Sequence, residues 1–240
     1  YKPRRVPNDP YFTQQWHLDN PGGDPRALQG ADMRAVAAWD MTFGSSDVLV
    51  AINDDGVDLA HPDFNLLRNE DGEVVTVNGP DDIEAALPEG CCTHGTSVAG
   101  VAAAAGDNEI GTTGVCPTCT TLPVFTDYSN PNEDAAVAET FTEPSALGAW
   151  VINNSWGPMD GLPPVIEAEP APMEPVPDVV DAALTSVVTE GRDGLGVSVV
   201  FAGGNGNEDV SSDAFVSHPH TIGVAAVNSK GYKSFYSDFG

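Results

Sequence analysis

Short apolar runs rich in β-branched residues alternate along this chain with segments of helical pattern, and that alternation limits the folds open to it. The runs predicted as buried strands are 48–52, 121–125, 150–152, 197–201 and 221–227. Small residues at 95–105 are compatible with a helix, and apolar side chains recur at helical spacing from 179 to 188. This alternation predicts the α/β class, with a mostly parallel sheet and helices on both faces.

The composition is that of a globular protein with a strongly acidic surface. Of the 240 residues, 41% are hydrophobic and 19% are charged, and 36 acidic residues against 9 basic ones give a net charge of −27. Such a surface repels nucleic acid and anionic lipid, so neither is expected as a partner. The sequence contains no apolar run of 18 residues, so no membrane span is predicted.

The first residues and the cysteines bear on where the protein resides. The start at 1–5, Tyr-Lys-Pro-Arg-Arg, is charged and does not resemble a secretory signal, so the alternatives are an intracellular protein or a mature form without its leader. Four cysteines form two close pairs, Cys91-Cys92 and Cys116-Pro-Thr-Cys119. A zinc site and a redox motif are alternatives, but disulfides in a secreted or periplasmic protein are favoured, with the pairing left open.

Three polar motifs lie where such a sheet would place an active site. Asp54 ends a predicted strand, where an ionised carboxylate can orient a histidine, and His94 opens a predicted helix, where an imidazole can act as a general base. Asn205 follows another strand and two glycines, and its amide can donate to an oxyanion. Alone, each motif has a plainer interpretation as a turn or a helix cap. Because parallel strands end at one edge, we expect the three side chains to converge on one cleft.

Together these motifs resemble those of the subtilisin-like serine proteases, and most closely the kexin/furin branch. The matching segments are 54–56 with 61–63, 94–96 with 98–100, 204–206, and, for the branch, 8–18, 155–158 and 191–196. The resemblance runs from residue 7 to residue 240. It implies a subtilisin-like three-layer fold, in which residues 1–240 form the N-terminal part of a single catalytic domain.

The resemblance also implies a role for each matched residue around the cleft. Asp54 resembles the triad carboxylate, His94 the general base and Asn205 the oxyanion donor. Asp55 matches a carboxylate that faces the second specificity pocket in kexin-like enzymes. Residues 91–93, Cys-Cys-Thr, replace the acidic stretch that precedes the histidine in furin-like enzymes, which argues against strong selectivity for two basic residues.

Further substrate contacts are implied after the third predicted strand. The segment 149–155 resembles an edge that pairs with the substrate backbone, the alternative being an ordinary interior strand. The residues that would contact substrate there are Ser155, Trp156 and Gly157. Asp160 and Asp213 match carboxylates around the first specificity pocket, where they would favour Arg or Lys before the cleaved bond. The Pro- and Glu-rich segment 161–177 is predicted to be an exposed acidic loop.

Calcium is the cofactor that the resemblance implies. The matched ligands are the side chains of Asp9, Asp63 and Asn108 and the carbonyls of Ile110 and Thr112. Ligation by oxygen alone suits Ca²⁺, and the alternative is a solvated acidic loop. A second calcium site is predicted near Asp160 and Asp209.

The nucleophile of the family has no match in the chain. The family's Gly-Thr-Ser occurs only at 95–97, inside the histidine motif, so Ser97 is wrongly placed, and Ser155 belongs to the substrate motif. We therefore expect a calcium-dependent serine endopeptidase whose Ser comes from a missing segment or a second chain. The alternatives are an inactive module that binds basic peptides and a calcium-dependent structural domain. Arg4-Arg5 marks either a propeptide junction or an ordinary charged tail.

Overall fold

A five-stranded parallel sheet forms the centre of the protein. The computed structural model describes residues 5–79, 92–126, 134–158, 173 and 175–240. In chain order the strands are β1 (Leu49–Asp54), β2 (Thr120–Phe125), β3 (Ala149–Asn154), β4 (Ser198–Ala202) and β5 (Ile222–Val224). They lie in the order β2-β1-β3-β4-β5, and every neighbouring pair is parallel. The predicted parallel α/β fold is confirmed.

Helices cover both faces of this sheet. The α-helices are α1 (Ala35–Trp39), α2 (Thr93–Ala103), α3 (Asp134–Ala146) and α4 (Asp178–Gly194), and short 3-10 helices span Phe12–Gln14 and Val210–Ser212. The regular part of α4 ends before Gly191, where the backbone leaves the helical region. Among the described residues, no helix is long and apolar enough to cross a membrane.

The alternation of side chains along β1 explains why the strand is apolar throughout. Leu49 and Ala51 belong to the core shared with α3 and α4, whereas Val50 and Ile52 belong to the core shared with α2. All six residues of β1 are buried. Because successive side chains of a strand point to opposite faces of the sheet, residue 53 faces α3 and Asp54 faces α2. This alternation places the carboxylate on the face of the sheet that carries the histidine helix.

One sequence prediction about this sheet is wrong. The segment 149–155 was expected to offer a free edge to a substrate backbone, but β3 is an interior strand, paired with β1 on one side and β4 on the other. Its backbone groups are therefore used within the sheet as far as Asn154. Ser155, Trp156 and Gly157 follow the strand, and their contact with substrate stays a prediction.

Candidate active site

The end of β1 and the start of α2 bring a buried carboxylate against an imidazole. His94 Nδ1 lies 2.7 Å from Asp54 Oδ1, and the backbone N–H of Asp55 donates to the same oxygen at 2.8 Å. Asp54 is almost completely buried, whereas the His94 side chain is 59% exposed. The imidazole is thus anchored at one nitrogen by a rigid carboxylate while much of its ring faces solvent. An imidazole held in this way can act as an oriented general base.

The environment of Asp54 couples its charge to the histidine. Burial raises the pKa of the Asp54 carboxyl, and the hydrogen bonds from His94 and from the Asp55 amide act in the opposite direction. The second oxygen, Oδ2, has no hydrogen-bond partner among the described residues. Among the described residues, the Asp54 carboxylate therefore has His94 and the Asp55 amide as its hydrogen-bond partners, both at Oδ1.

Asp55 anchors the first turn of α2. Its Oδ1 accepts the N–H of Gly95 at 2.7 Å, and its Oδ2 accepts the N–H of His94 at 3.4 Å. A carboxylate at this end of a helix binds amides that lack intrahelical partners and is favoured by the helix dipole. Sequence reasoning missed this role, because Asp55 and the start of α2 are about forty residues apart in the chain and meet only in the folded structure. Contact of Asp55 with a second specificity pocket stays a prediction.

Glycine at position 95 is required by the approach of α2 to the sheet. A Cβ at Gly95 would overlap the carbonyl oxygen of Gly56 and lie 2.9 Å from the Cβ of Asp54. The helix therefore starts in direct contact with the turn that follows β1. This contact sets the position of His94 relative to Asp54.

Asn205 lies beyond the end of β4, at the carboxyl-terminal end of the sheet, where Asp54 also lies. Two strand spacings separate β4 from β1, or roughly 10 Å, since only β3 lies between them. Gly204 has φ +105°, a conformation suited to glycine, and its carbonyl accepts the N–H of Asp238. Asn205 itself is exposed. The structure thus brings it to the predicted edge, and its donation to an oxyanion stays a prediction.

The segment after β3 meets Asp213. A Cβ at Gly157 would lie 3.0 Å from Asp213 Oδ2, while Asp213 Oδ1 accepts the N–H groups of Phe215 and Val216 at 2.7 and 3.2 Å. Trp156 packs edge-on against Phe215, with 5.4 Å between ring centroids. Gly157 therefore lies beside the predicted pocket carboxylate, and Trp156 packs on a residue whose N–H binds that carboxylate. Ser155 Oγ accepts from the side chain of Asn153 at 3.0 Å.

The Asp213 carboxylate is partly desolvated and has acidic neighbours. Burial raises the pKa of Asp213, the hydrogen bonds from the Val216 and Phe215 amides lower it, and the charges of Asp238 and Glu208 raise it further. A cation placed beside this carboxylate would relieve that repulsion. Asp160, the other predicted pocket carboxylate, lies outside the described residues, as do residues 161–172 of the predicted acidic loop.

The predicted calcium ligands cluster around two buried carboxylates. Asp9 and Asp63 are 5% and 1% exposed. Asp9 accepts hydrogen bonds from the N–H groups of Asp107 and Asn108 and from the Thr113 hydroxyl. All these contacts join the N-terminal segment to the loop at 106–113.

Asp63 contacts the same loop. It accepts the Asn108 amide at 2.7 Å and the Thr112 N–H at 3.1 Å, and Gly111 packs against its Oδ2. Burial raises the pKa of Asp63 most, and the charge of Asp9 raises it further. Ile110 donates its N–H to the Asn108 side-chain oxygen. All five predicted ligands therefore belong to one loop and its two carboxylates.

The donor set fits a hard cation. Every candidate ligand is an oxygen of a carboxylate, an amide or a backbone carbonyl, which is the chemistry that Ca²⁺ selects. The charge of Asp9 helps to raise the pKa of the buried Asp63, and a divalent cation bound beside both carboxylates would relieve this repulsion. Within the described residues, no group of three His, Cys, Asp or Glu side chains is arranged to hold a metal. The carbonyls and Asn108 would therefore have to complete the site.

Two further sequence predictions concern cysteines and a second calcium site. Cys116 and Cys119 are paired in a disulfide within the turn before β2, whereas Cys91 lies outside the described residues.

Asp209, at the predicted second calcium site, caps the short helix at 210–212, and the hydrogen bonds from Ser211 lower the pKa of Asp209. The second site stays a prediction, because Asp160 is not described.

A sequence model of the subtilase family matches residues 45–240. The chain belongs to the subtilase family. This subtilase is 35% identical to a calcium-dependent protease of Nostoc sp. over 235 residues, which cover 95% of the chain and 33% of the relative. It is 31% identical to neuroendocrine convertase 2 of Drosophila melanogaster over 242 residues, 97% of the chain and 34% of the relative. The predicted resemblance to the kexin/furin-like proteases is confirmed.

The solved structures agree with the fold. The serine protease of Aeromonas sobria, crystallised with its chaperone, superposes with a TM-score of 0.76 at 25% identity, covering 98% of this subtilase and 42% of that chain. This subtilase spans about a third of the length of the curated relatives named above. The activity of the whole protein is therefore a matter for proposal.

Proposed function

We propose that residues 1–240 form the N-terminal part of the catalytic domain of a calcium-dependent serine endopeptidase that prefers Arg or Lys before the cleaved bond. The observation that carries this proposal is the 2.7 Å contact between His94 Nδ1 and the buried Asp54. That contact leaves the exposed part of the imidazole to take a proton from a serine as the serine attacks a peptide carbonyl. Asp54 would orient the ring and stabilise the imidazolium.

Asn205 is the proposed oxyanion donor. It lies at the same end of the sheet as Asp54, on a loop whose backbone is hydrogen-bonded to the segment 236–238: Asn207 donates to the Tyr236 carbonyl, and Asp238 donates to the Gly204 carbonyl. Together with a backbone amide, its side chain would stabilise the tetrahedral intermediate, and water would then hydrolyse the acyl-enzyme.

The serine is proposed to come from a further segment or a second chain that packs beside β5. Among the described residues, β5 has β4 as its one neighbour in the sheet, so its other edge is free. Large apolar side chains are exposed along and after this strand: Ile222, Val224, Val227, Tyr232, Phe235, Tyr236 and Phe239. A free edge next to so many exposed apolar side chains is typical of a surface that another segment covers.

The proposed preference for a basic residue rests on Asp213. Its Oδ2 faces Gly157, at the segment proposed to contact substrate, while its Oδ1 is held by two backbone amides. A fixed, partly buried carboxylate favours a guanidinium or ammonium group through charge-assisted hydrogen bonds. Asp160 is proposed to act with it.

Calcium is proposed to bind between Asp9 and Asp63, with Asn108 and the carbonyls of Ile110 and Thr112 completing the site. The ion would supply positive charge to two buried carboxylates and would tie the N-terminal segment to the loop at 106–112. The side-chain N–H of Asn108 donates to Asp63 in this structure, so Asn108 would turn its side-chain oxygen towards the ion.

The disulfide between Cys116 and Cys119 supports the proposal of a secreted or periplasmic location.

A fluorophosphonate probe tests the proposed hydrolase. The protein expressed from its complete gene should be labelled at a serine, on the same chain or on an associated one. Asp54→Asn should lower peptidase kcat by roughly 10³–10⁴-fold, because the imidazole loses its orienting charge. Asp47→Asn, an exposed carboxylate away from the site, serves as the control. Absence of labelling together with retained binding of basic peptides would favour the inactive binding module instead.

A further inference from the structure

Two asparagines form a buried pair beneath the sheet edge that carries the candidate site. Asn53 immediately precedes Asp54, and Asn154 immediately precedes Ser155; both are completely buried. They are partners in the register of β1 and β3, and Asn53 Nδ2 donates to Asn154 Oδ1 at 2.8 Å. Burial of an amide is costly unless the group is hydrogen-bonded. Packing alone would therefore favour apolar side chains at both positions.

The hydrogen bonds of this pair extend to several elements. Asn53 Nδ2 also donates to Thr140 Oγ1 on α3 at 2.9 Å, and Asn53 Oδ1 accepts from the hydroxyl of Thr126, which follows β2. Asn154 Nδ2 donates to the carbonyl oxygen of Val200 in β4 at 3.0 Å and to a carbonyl of its own strand at 3.3 Å. Both amide groups therefore have partners for all of their protons. A fully satisfied buried network rigidifies the elements that it joins.

We propose that the Asn53–Asn154 pair positions the catalytic edge of the sheet, and this proposal rests on the proposed hydrolase function. The strands that the pair joins are those whose ends carry the site. β1 leads into Asp54, β3 leads into the segment 155–157, and β4 leads into Asn205. The pair thus ties three strands together, one residue before Asp54 in β1, one residue before Ser155 in β3, and at Val200 in β4.

The geometry makes this a positioning role and not a catalytic one. Asn53 reaches α3 through Thr140, whereas Asp54 reaches α2 through His94, so the pair and the imidazole lie on opposite faces of the sheet. The pair would act by fixing the position of Asp54 relative to the start of α2. That helix is held separately, through the hydrogen bond from Gly95 to Asp55. Small displacements of a catalytic group lower the rate steeply.

The test replaces both partners at once in the protein expressed from its complete gene. In the double variant Asn53→Leu with Asn154→Leu, no amide of the pair is left unpaired, and the Thr140 hydroxyl keeps its bond to the Val137 carbonyl. We expect a melting temperature close to that of the wild type. The His94 Nδ1 proton, observed by NMR at low field, should exchange with water about tenfold faster, and kcat should fall about tenfold with KM within twofold.

A second variant covers the case in which the double variant does not fold. Thr140→Val removes one anchor of the pair on α3, and we expect about threefold faster exchange of the His94 proton. Thr121→Val, a buried hydroxyl in β2 outside this network, is the matched control and should leave the exchange rate unchanged.

If the His94 proton exchanged at the wild-type rate in a folded double variant, or in Thr140→Val, the proposal would be overturned. The asparagine pair would then contribute to packing alone. The exchange rate reports the Asp54–His94 contact directly, so it can be measured in a protein that cleaves nothing. A wild-type protein that shows the proton signal but has no peptidase activity would refute the proposed function alone. Failure of the positioning role and failure of the hydrolase are thereby distinguished.

Discussion

At the scale of single residues, Asp213 shows how burial changes what a carboxylate can recognise. Its Oδ1 is held by two backbone amides while its Oδ2 faces Gly157, so its position is fixed before any substrate arrives. Burial and the neighbouring carboxylates raise its pKa. Its negative charge is therefore lost at a higher pH than that of an exposed aspartate.

This raised pKa predicts a pH-dependent specificity. As pH falls, Asp213 loses its charge at a higher pH than an exposed aspartate does. From that pH downwards, kcat/KM for a peptide with Arg before the cut should fall relative to that for a matched Leu peptide. Effects of pH on the steps that both substrates share cancel in the ratio of their kcat/KM values. Asp213→Asn should lower the Arg-to-Leu ratio by roughly 10–100-fold at neutral pH, the value of a hydrogen bond to a charged group, and should weaken its dependence on pH. A wild-type ratio that does not change with pH would remove Asp213 from the pocket.

At the scale of elements, the approach of α2 to the sheet predicts opposite effects at two glycines of one helix. Gly95→Ala would force the helix away from Gly56 and Asp54, and we expect at least about a 100-fold loss of kcat/KM from the displaced imidazole. At Gly100 a Cβ meets no atom within 4 Å, so Gly100→Ala should raise the free energy of unfolding by about 0.5–1 kcal/mol with activity retained. Kinetics and urea unfolding of both variants check this, and equal effects would contradict it.

Two completely buried threonines make a second contrast between elements. Thr121 in β2 has a hydroxyl with no hydrogen-bond partner among the described residues, whereas the Thr113 hydroxyl donates to Asp9 at 2.7 Å. Thr121→Val should stabilise the protein by about 1 kcal/mol, since an unpaired buried polar group is removed. Thr113→Val should destabilise it by about 1–3 kcal/mol. Thermal unfolding of the two variants would contradict this account if Thr121→Val were the less stable.

At the scale of the whole molecule, the calcium loop links the N-terminal segment to the body of the fold. Asp9 and Asp63 both contact the loop at 106–113, and Arg5 adds an ion pair with Asp107. With a net charge of −27 the folded chain also repels itself. A cation bound at Asp9 and Asp63 would offset the repulsion between these two carboxylates and part of the repulsion due to the net charge of the chain.

Calcium should therefore raise the melting temperature. Above the dissociation constant, each tenfold increase in free Ca²⁺ should add about 1.4 kcal/mol to the free energy of unfolding. Asp63→Asn should abolish most of this increment, whereas Asp47→Asn should keep it. A matched series with NaCl at equal ionic strength separates screening from binding. If NaCl and CaCl₂ gave the same shift at equal ionic strength, the proposed site would be excluded.

Much of the site could be predicted because its residues stand at the ends of recognisable elements. Asp54 and His94 were found from a strand end and a helix start, and the structure brings them within hydrogen-bonding distance. The helix-anchoring role of Asp55 and the Asn53–Asn154 pair were missed. Both depend on contacts between elements distant in the chain, which a pattern along one segment does not report.

The sequence by itself determined the parallel α/β class and the positions of the polar motifs, because strand and helix periods and glycine-rich turns are local properties. Only the tertiary structure decided which strands are neighbours. It made β3 an interior strand, contrary to the expectation of a free edge, and it set Asp213 against Gly157. Strand order follows from how helices pack on the two faces, and that packing depends on contacts between residues far apart in the chain.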